Sequence, residues 1–232
     1  WSAHAAEFYA WWTARIRHTF ALVDVVRIDH FRGFAAHWEI PASEPTAIHG
    51  RWVEGPGAAL FEAIAAALGP LPIIAEDLGI ITPDVDALRR GADLPGMRVL
   101  QFAFDGKAEN PYLPHHYEAA TVVYTGTHDN DTTQGWWQAA GAAEREHVSR
   151  YLGHAPEWLD DAIHWELIRA AWASVADTAI APLQDVLGLG TEHRMNLPGE
   201  GEGHWAWRFT WDMVRPGHGE QLAGLSRLYA RA

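Results

Sequence analysis

Three short apolar segments of the chain each lead into a carboxylate, and this pattern limits the folds that the chain can adopt. The segments are residues 25–28, 72–75 and 122–128, and they end on Asp29, Glu76 and Asp129. An apolar, β-branched segment bounded by turn residues is typical of a strand buried in a parallel sheet. The carboxyl ends of the strands in an α/β barrel lie on one face, so we expect the three acids to converge there.

The rest of the chain alternates between helix and strand patterns. We predict five strands, at residues 23–28, 72–75, 97–104, 121–125 and 178–181. Helices are predicted at residues 3–20, 58–68, 83–91, 132–152 with a break at Gly141, 160–174 and about 219–231. The proline-containing residues 29–57 are predicted to form a long loop, and no hairpin turn is evident. Helices and strands in this order predict the α/β class.

The number of predicted strands suggests a partial barrel. Five strands are fewer than the eight that close a (β/α)8 TIM barrel. We therefore expect residues 1–232 to be the C-terminal part of a single barrel domain, holding about the last five strands and their helices. The chain opens on Trp1-Ser2-Ala3-His4, which resembles the interior of a protein, so a longer parent chain is expected.

The composition restricts the ligands and partners. The formal net charge is −13, from 17 basic and 30 acidic residues, which argues against a nucleic-acid or anionic membrane surface and fits a neutral or cationic ligand. The absence of cysteine excludes disulfides and thiolate metal sites. No apolar stretch reaches the ~18–20 residues of a membrane helix, and we expect a cytoplasmic protein. The 13 tryptophans offer flat apolar faces of the kind that suit sugar rings.

Asp29 has an arginine two residues before it. Side chains alternate along a strand, so Arg27 is expected on the same side as Asp29. A guanidinium beside a carboxylate favours the charged form, which a nucleophile needs. A structural ion pair at the end of the strand is the alternative explanation.

Glu76 is followed directly by Asp77. Adjacent acids in an extended chain point to opposite sides, so one can act in catalysis while the other binds or caps. Nearby carboxylates disfavour ionisation, which suits a general acid. A loop carboxylate without a role is the alternative for Glu76.

Asp129 follows His128 in a run that is dense in short polar residues. Asp131 and Thr132 in this run would also make good helix N-caps, which is the competing local explanation. The glycine and closing glutamate of an EF-hand loop are not at the required offsets. The chain has neither a Gly-x-Ser-x-Gly nor a His-Glu-x-x-His motif, and it shows no cofactor or metal requirement. Taken together, the three acids predict a retaining glycosidase-type site.

The placement of the acids on the first, second and fourth of these predicted strands resembles that of the α-amylase clan. Within that clan the motifs resemble the amylomaltase family, also called 4-α-glucanotransferases or disproportionating enzymes. The resemblance extends almost end to end. The matching segments are residues 26–34, 38–42, 75–83, 94–97, 100–104, 124–133, 182–187 and 194–196.

The resemblance implies a role for each acid and several contacts with substrate. Asp29 resembles the nucleophile, Glu76 the acid/base and Asp129 the third acid, which binds sugar hydroxyls and stabilises the transition state. Further substrate-binding residues are implied at matching positions: Arg27, His30, Asp77, His128 and Asn196, with Trp38 as a candidate aromatic contact for the acceptor.

The implied activity is the transfer of α-1,4-glucan segments between maltooligosaccharides by a retaining double displacement. The implied partners are maltooligosaccharides and glucans derived from starch or glycogen, with no nucleic acid and no membrane. An α-1,4-glucan hydrolase of the same clan and a non-catalytic glucan-binding fragment remain open as alternatives. Family members also carry N-terminal barrel strands and inserted subdomains that these residues lack. We therefore expect the isolated chain to be inactive or poorly folded.

Overall fold

Helices and strands are interspersed along the chain in the computed structural model, which describes residues 2–231. The chain divides into two units, one ending at Met97 and the other beginning at Arg98. The α-helices are α1 Ala5–Phe20, α2 Ala58–Leu68, α3 Pro83–Gly91, α4 Thr133–Ala139, α5 Ala142–Leu152, α6 Pro156–Ala173, α7 Leu183–Val186 and α8 Pro216–Leu228. The strands are β1 Val26–Ile28, β2 Ala36–Glu39, β3 Arg51–Glu54, β4 Ile73–Ala75, β5 Gly96–Val99, β6 Thr121–Tyr124 and β7 Thr178–Ile180.

The first unit is built on the parallel pair of β1 and β4, in which Ile28 lies opposite Ala75. Helix α2 lies between two glycines with positive φ, Gly57 and Gly69, and it buries Leu60 and Ile64 one turn apart. It packs against α1. The buried core of this unit consists of Ile16, Phe31, Phe34, Leu60, Phe61, Ile64, Ile73, Ala75, Val85 and Leu94.

The region between β1 and α2 corrects one prediction. Residues 29–57 were expected to be a loop without a hairpin, but β2 and β3 form an antiparallel pair in which Trp38 lies opposite Trp52. Neither strand contains a buried residue. The pair therefore lacks the apolar alternation that identifies a half-buried strand in a sequence.

The second unit has a three-stranded sheet in the order β5, β6, β7. Strands β6 and β7 run parallel, with Val123 opposite Ala179. Helix α6 packs against α4, α5, α7 and α8, so it is the centre of the helical layer. The largest buried cluster of the unit includes Leu100, Phe104, Leu113, Val123, Trp137, Val148, Leu159, Ile163, Leu167 and Ile168.

All five predicted strands are present, but the third is shorter than expected. Strand β5 ends at Val99, and Leu100–Phe102 form a 3-10 turn. Leu100, Ala103 and Phe104 are all buried in one core, and this spacing of three and four residues is that of a helical turn. The short helix α7 was not predicted, and α6 begins four residues earlier than expected.

A helix that crosses a membrane needs about 20 predominantly apolar residues. None of the helices within residues 2–231 is long and apolar enough to cross a membrane. The proposal that the chain forms the end of one barrel domain stays a prediction.

Candidate active site

Asp29 follows β1 directly and forms an ion pair with Arg27. Nη2 of Arg27 donates to Oδ1 of Asp29 at 2.8 Å, and Nε of Arg27 approaches the sulfur of Met97 at 3.2 Å. The Asp29 side chain is 76% exposed, whereas that of Arg27 is 27% exposed. The predicted pairing of the two residues is therefore confirmed. Its geometry orients one carboxylate oxygen of Asp29 and leaves the side chain open to a ligand.

Glu76 follows β4 and is held by backbone donors on both oxygens. The N–H of His30 donates to Oε2 at 2.7 Å, and the N–H of Leu78 donates to Oε1 at 2.8 Å. A carboxylate has about four lone-pair sites, so these two bonds leave a site on each oxygen to accept a proton. The side chain is thus fixed in place and still has the capacity of an acid/base group.

His30 owes its contact with Glu76 to an irregularity of the ladder between β1 and β4. The N–H of Glu76 donates to the carbonyl of Ile28 at 2.9 Å, as in a regular parallel pair. The carbonyl of Glu76 then accepts from Phe31 at 3.1 Å instead of from His30. His30 has a φ of 50°, in the left-handed region, and its N–H is turned onto the Glu76 carboxylate. The chain after β1 therefore bulges by one residue, which frees the N–H of His30 to donate to the Glu76 side chain.

Asp29 and Glu76 lie side by side because of the register of their strands. The paired positions Ile28 and Ala75 immediately precede them. Paired residues on parallel strands project to the same face, and neighbouring strands are ~4.8 Å apart. A retaining glycosidase places its two carboxyl groups about 5–5.5 Å apart. The register therefore brings the two acids to the same end of the strand pair, and the separation of their carboxyl groups stays a prediction.

Asp77 is buried, with a side chain only 4% exposed. Its Oδ1 accepts from the N–H of Met97 at 2.6 Å, and its Oδ2 lies 3.5 Å from Nε of Arg89. These contacts join the segment after β4 to the start of β5 and to α3. Direct contact of Asp77 with substrate stays a prediction, and its observed contacts are structural.

Trp38 lies on the hairpin and not in an irregular loop. Its indole N–H donates to the carbonyl of Ala47 at 2.8 Å, and its ring meets that of Trp52 with centroids 5.5 Å apart. The indole is partly exposed. The guanidinium of Arg32 lies 4.6 Å from the Trp52 ring centroid and also donates to the carbonyl of Ile80 at 3.1 Å. Binding of an acceptor by Trp38 stays a prediction.

In the second unit, Asp129 lies together with His128 and Asn196, two residues for which the resemblance implies contact with substrate. The amide of Asn196 donates to Oδ1 of Asp129 at 2.6 Å. Nε2 of His128 lies 3.3 Å from Oδ2 of the same carboxylate. The three side chains form a polar cluster with donors and acceptors of the kind that hold sugar hydroxyls. Their contact with substrate stays a prediction.

Arg194 stabilises this cluster and received no role from sequence reasoning. Its Nη2 donates to the backbone carbonyl of Asp129 at 3.0 Å, and its Nε donates to that of Asn196 at 3.2 Å. A single guanidinium therefore ties together the two segments that carry the cluster. The only available signal was its place two residues before Asn196 in a matching motif.

The loop between β6 and α4, which carries His128 and Asp129, is closed by a buried carboxylate that sequence reasoning also missed. Asp185 accepts from the hydroxyl of Thr125 at 2.5 Å, before the loop. It accepts from the N–H and the hydroxyl of Thr133, after the loop, at 2.7 and 2.8 Å. Burial raises the pKa of Asp185 above its ordinary value, against the lowering effect of these three bonds.

The expected helix cap within the same loop is present. Thr132 precedes α4 and accepts from the N–H of Gly135 at 3.0 Å. Asp131 instead accepts from the hydroxyl of Thr191 at 2.6 Å. The local capping explanation therefore accounts for Thr132, but not for His128 or Asp129.

A cavity of about 200 Å³ opens beside this cluster. Its walls include His128, Asp131, Arg194 and Trp205. The rings of His128 and Trp205 lie with centroids 4.9 Å apart. No group of three or more histidine and acidic side chains in the described part of the chain is arranged to hold a metal ion.

Comparison with known proteins gives consistent matches. The model of the 4-alpha-glucanotransferase family matches residues 1–213. The 4-alpha-glucanotransferase of Thermus thermophilus is 48% identical over 238 residues, which cover 100% of this chain and 47% of that protein. The chloroplastic/amyloplastic 4-alpha-glucanotransferase of Arabidopsis thaliana is 48% identical over 235 residues, which cover 100% of this chain and 40% of that protein.

A solved structure agrees with these sequence matches. The amylomaltase from Streptococcus agalactiae in complex with acarbose superposes with a TM-score of 0.93 and 34% identity, covering 99% of this chain and 46% of that one. The chain spans about half the length of the curated relatives it matches. Because the family model covers most of its residues, the chain belongs to the 4-alpha-glucanotransferase family.

Proposed function

We propose that the chain transfers α-1,4-glucan segments between maltooligosaccharides by a retaining double displacement. The observation that carries this proposal is the register of β1 and β4, because Asp29 and Glu76 directly follow a pair of opposed residues. Arg27 donates a hydrogen bond to Asp29, and two backbone N–H groups donate to Glu76. Family membership supports transfer over a non-catalytic glucan-binding fragment.

In the first step, Asp29 attacks the anomeric carbon of the donor glucan. The bond from this carbon to the glycosidic oxygen breaks, and Glu76 gives its proton to that oxygen. Arg27 holds the attacking carboxylate by its 2.8 Å hydrogen bond. The products of this step are a free glucan with a new hydroxyl and a glucosyl ester on Asp29.

In the second step, Glu76 acts as a base. It takes the proton of the acceptor's 4-hydroxyl, whose oxygen attacks the anomeric carbon and releases Asp29. Two displacements at one carbon retain its configuration. For Asp129, His128 and Asn196 of the second unit we propose contacts with glucan hydroxyls, for which their polar cluster offers donors and acceptors.

We further propose that the parallel strands belong to a (β/α)8 barrel. Two parallel pairs, alternation with helices and acids directly after β1 and β4 support this assignment. Family relatives include chloroplastic proteins, so a cytoplasmic location stays a prediction. The absence of nucleic-acid and membrane partners also stays a prediction.

Maltotriose distinguishes transfer from hydrolysis. Family membership does not favour the expectation of an inactive isolated chain, so we expect the purified 232-residue chain to convert maltotriose into glucose and longer oligosaccharides, resolved by chromatography. Glucose and maltose without longer products would identify a hydrolase. No products from a folded chain would contradict the proposal and support the expectation of an inactive isolated chain.

Glu76→Gln tests the acid/base role. We expect turnover to fall about 10²–10⁴-fold. The amide can accept only one of the two backbone bonds, so a thermal unfolding scan must accompany the assay. Glu62→Gln, on an exposed position of α2, is the control and should leave turnover unchanged. Equal activity of the two variants would remove Glu76 as acid/base.

A further inference from the structure

We infer that Trp205 is a stacking platform for one glucose ring of the glucan that binds beside Asp129. This inference rests on the proposed function and names a glucan-binding position beside Asp129, within the second unit. Neither the motifs nor the three acids indicate it. It is carried by the backbone, the ring contacts and the exposure of Trp205 in the second unit.

The backbone of Trp205 is held in a conformation that bulky residues avoid. Its φ is 62°, in the left-handed region, which costs ~1–2 kcal/mol for a residue with a side chain. Its N–H donates to the carbonyl of Met195 at 2.8 Å, next to the Asn196 that binds Asp129. Strained residues of this kind cluster at ligand sites, where the surrounding structure fixes them.

The indole ring is placed against the polar cluster and not in the core. Its centroid lies 4.9 Å from that of the His128 ring, with 42° between the ring planes. His128 in turn contacts the Asp129 carboxylate. Trp205 nevertheless remains 63% exposed. The strained backbone and the ring contact therefore do not serve to bury an apolar side chain.

The cavity beside the ring has the size and lining of a sugar position. It measures about 200 Å³, below the ~300–1,000 Å³ of pockets for drug-sized ligands, which suits a single ring. The lining residues include His128, Asp131 and Arg194 together with Trp205. A pyranose presents hydroxyls at its edge and C–H groups on its face, which matches a polar wall next to a flat apolar ring.

Trp205→Asn removes the ring while keeping a residue that tolerates the left-handed backbone. We expect the Kd of the full chain for maltotriose, measured by calorimetry, to rise about tenfold or more. Trp211→Asn is the matched control, because Trp211 is also exposed and does not line the cavity. It should leave the Kd unchanged within about twofold.

Trp205→Phe provides a spectroscopic readout that a structural role would not change. We expect maltotriose to alter the tryptophan fluorescence of the native chain and of Trp211→Phe. In Trp205→Phe this change should be clearly smaller, while the Kd rises by only about threefold because a phenyl face remains. This variant decides the matter if Trp205→Asn does not fold.

The outcomes separate this inference from the proposed function. An unchanged Kd in folded Trp205→Asn, or an unchanged fluorescence response in Trp205→Phe, would overturn the platform while leaving transfer by the native chain intact. Binding that depends on Trp205 without any transfer would overturn the proposed function alone. A native chain that does not bind maltotriose would overturn both.

Discussion

The backbone N–H of His30 donates to Oε2 of Glu76 at 2.7 Å, from a residue whose φ of 50° lies in the left-handed region. The contact joins the end of β1 to the acid that follows β4. Glu76 is therefore held by backbone geometry, and the histidine ring is not part of this contact. This contact therefore depends on the backbone conformation of residue 30 more than on its side chain.

Substitutions of His30 should separate conformation from side-chain chemistry. His30→Asn keeps a residue that adopts the left-handed region readily, and we expect little change in the free energy of unfolding. His30→Val introduces a β-branched residue, which should cost ~1–2 kcal/mol more. Urea denaturation measures both. Equal stability of the two variants would contradict the importance of the backbone.

The features that could be predicted from the sequence are those set by residues close together along the chain. Helices α2 and α3 have the predicted boundaries, because Gly69-Pro70 and Thr82-Pro83 act locally. The alternating side-chain rule also correctly placed Arg27 beside Asp29. Such features need only neighbouring residues, so a single sequence is sufficient to find them.

Contacts between distant segments were not predictable in this way. The bond from His30 to Glu76 depends on a bulge in strand pairing, and Asp185 closes a loop 52 residues before it. The hairpin of β2 and β3 was missed because neither strand has a buried face. Supporting groups of the candidate site therefore emerged only from the structure.

Arg27 should affect turnover much more than stability. Asp29, its partner in the ion pair, is 76% exposed, and ion pairs open to solvent contribute only about 0–1 kcal/mol. We expect Arg27→Met to lower kcat by about 10²-fold, because the attacking carboxylate loses its orientation. Arg51→Met is the control, since Arg51 pairs with Glu39 at 3.0 Å on the exposed hairpin. Similar kcat losses in both variants would argue against a specific role for Arg27.

Gly96 is required by the close approach of Asp77. A Cβ at position 96 would overlap Oδ2 of Asp77, which is buried together with Arg89. Gly96→Ala should displace the carboxylate from the N–H of Met97 and lower the free energy of unfolding by ~1–3 kcal/mol. Gly91→Ala is the control.

A Cβ at Gly91 would meet no atom within 4 Å, and Gly91 is the last residue of α3. Replacement by alanine there should be neutral or stabilise by up to ~1 kcal/mol. Denaturant titrations of the two alanine variants give the comparison. A stability of Gly96→Ala equal to that of Gly91→Ala would show that Asp77 can move without loss.

Asp185 should stabilise the folded chain through its buried hydrogen bonds, and the size of this effect should depend on pH. Asp185→Leu leaves the buried N–H of Thr133 without its acceptor, and we expect a loss of ~1–3 kcal/mol at pH 7. Asp185→Asn keeps a carbonyl for this N–H, and the threonine hydroxyls can accept from the new amide. The asparagine variant should therefore stay within ~1 kcal/mol of the native chain at pH 7.

The pH dependence follows from the raised pKa of the buried Asp185 carboxyl. Between the ordinary aspartate pKa of ~3.9 and this raised value, the folded chain binds more protons at residue 185 than the unfolded chain. The stability of the native chain relative to Asp185→Asn should therefore increase as the pH falls through the raised pKa, and the gain should be complete below ~3.9. Urea titrations of both proteins between pH 7 and pH 4 measure this difference. A difference that stays constant would show that the three hydrogen bonds balance burial, and a change in the opposite direction would show that they outweigh it and keep the carboxyl ionised.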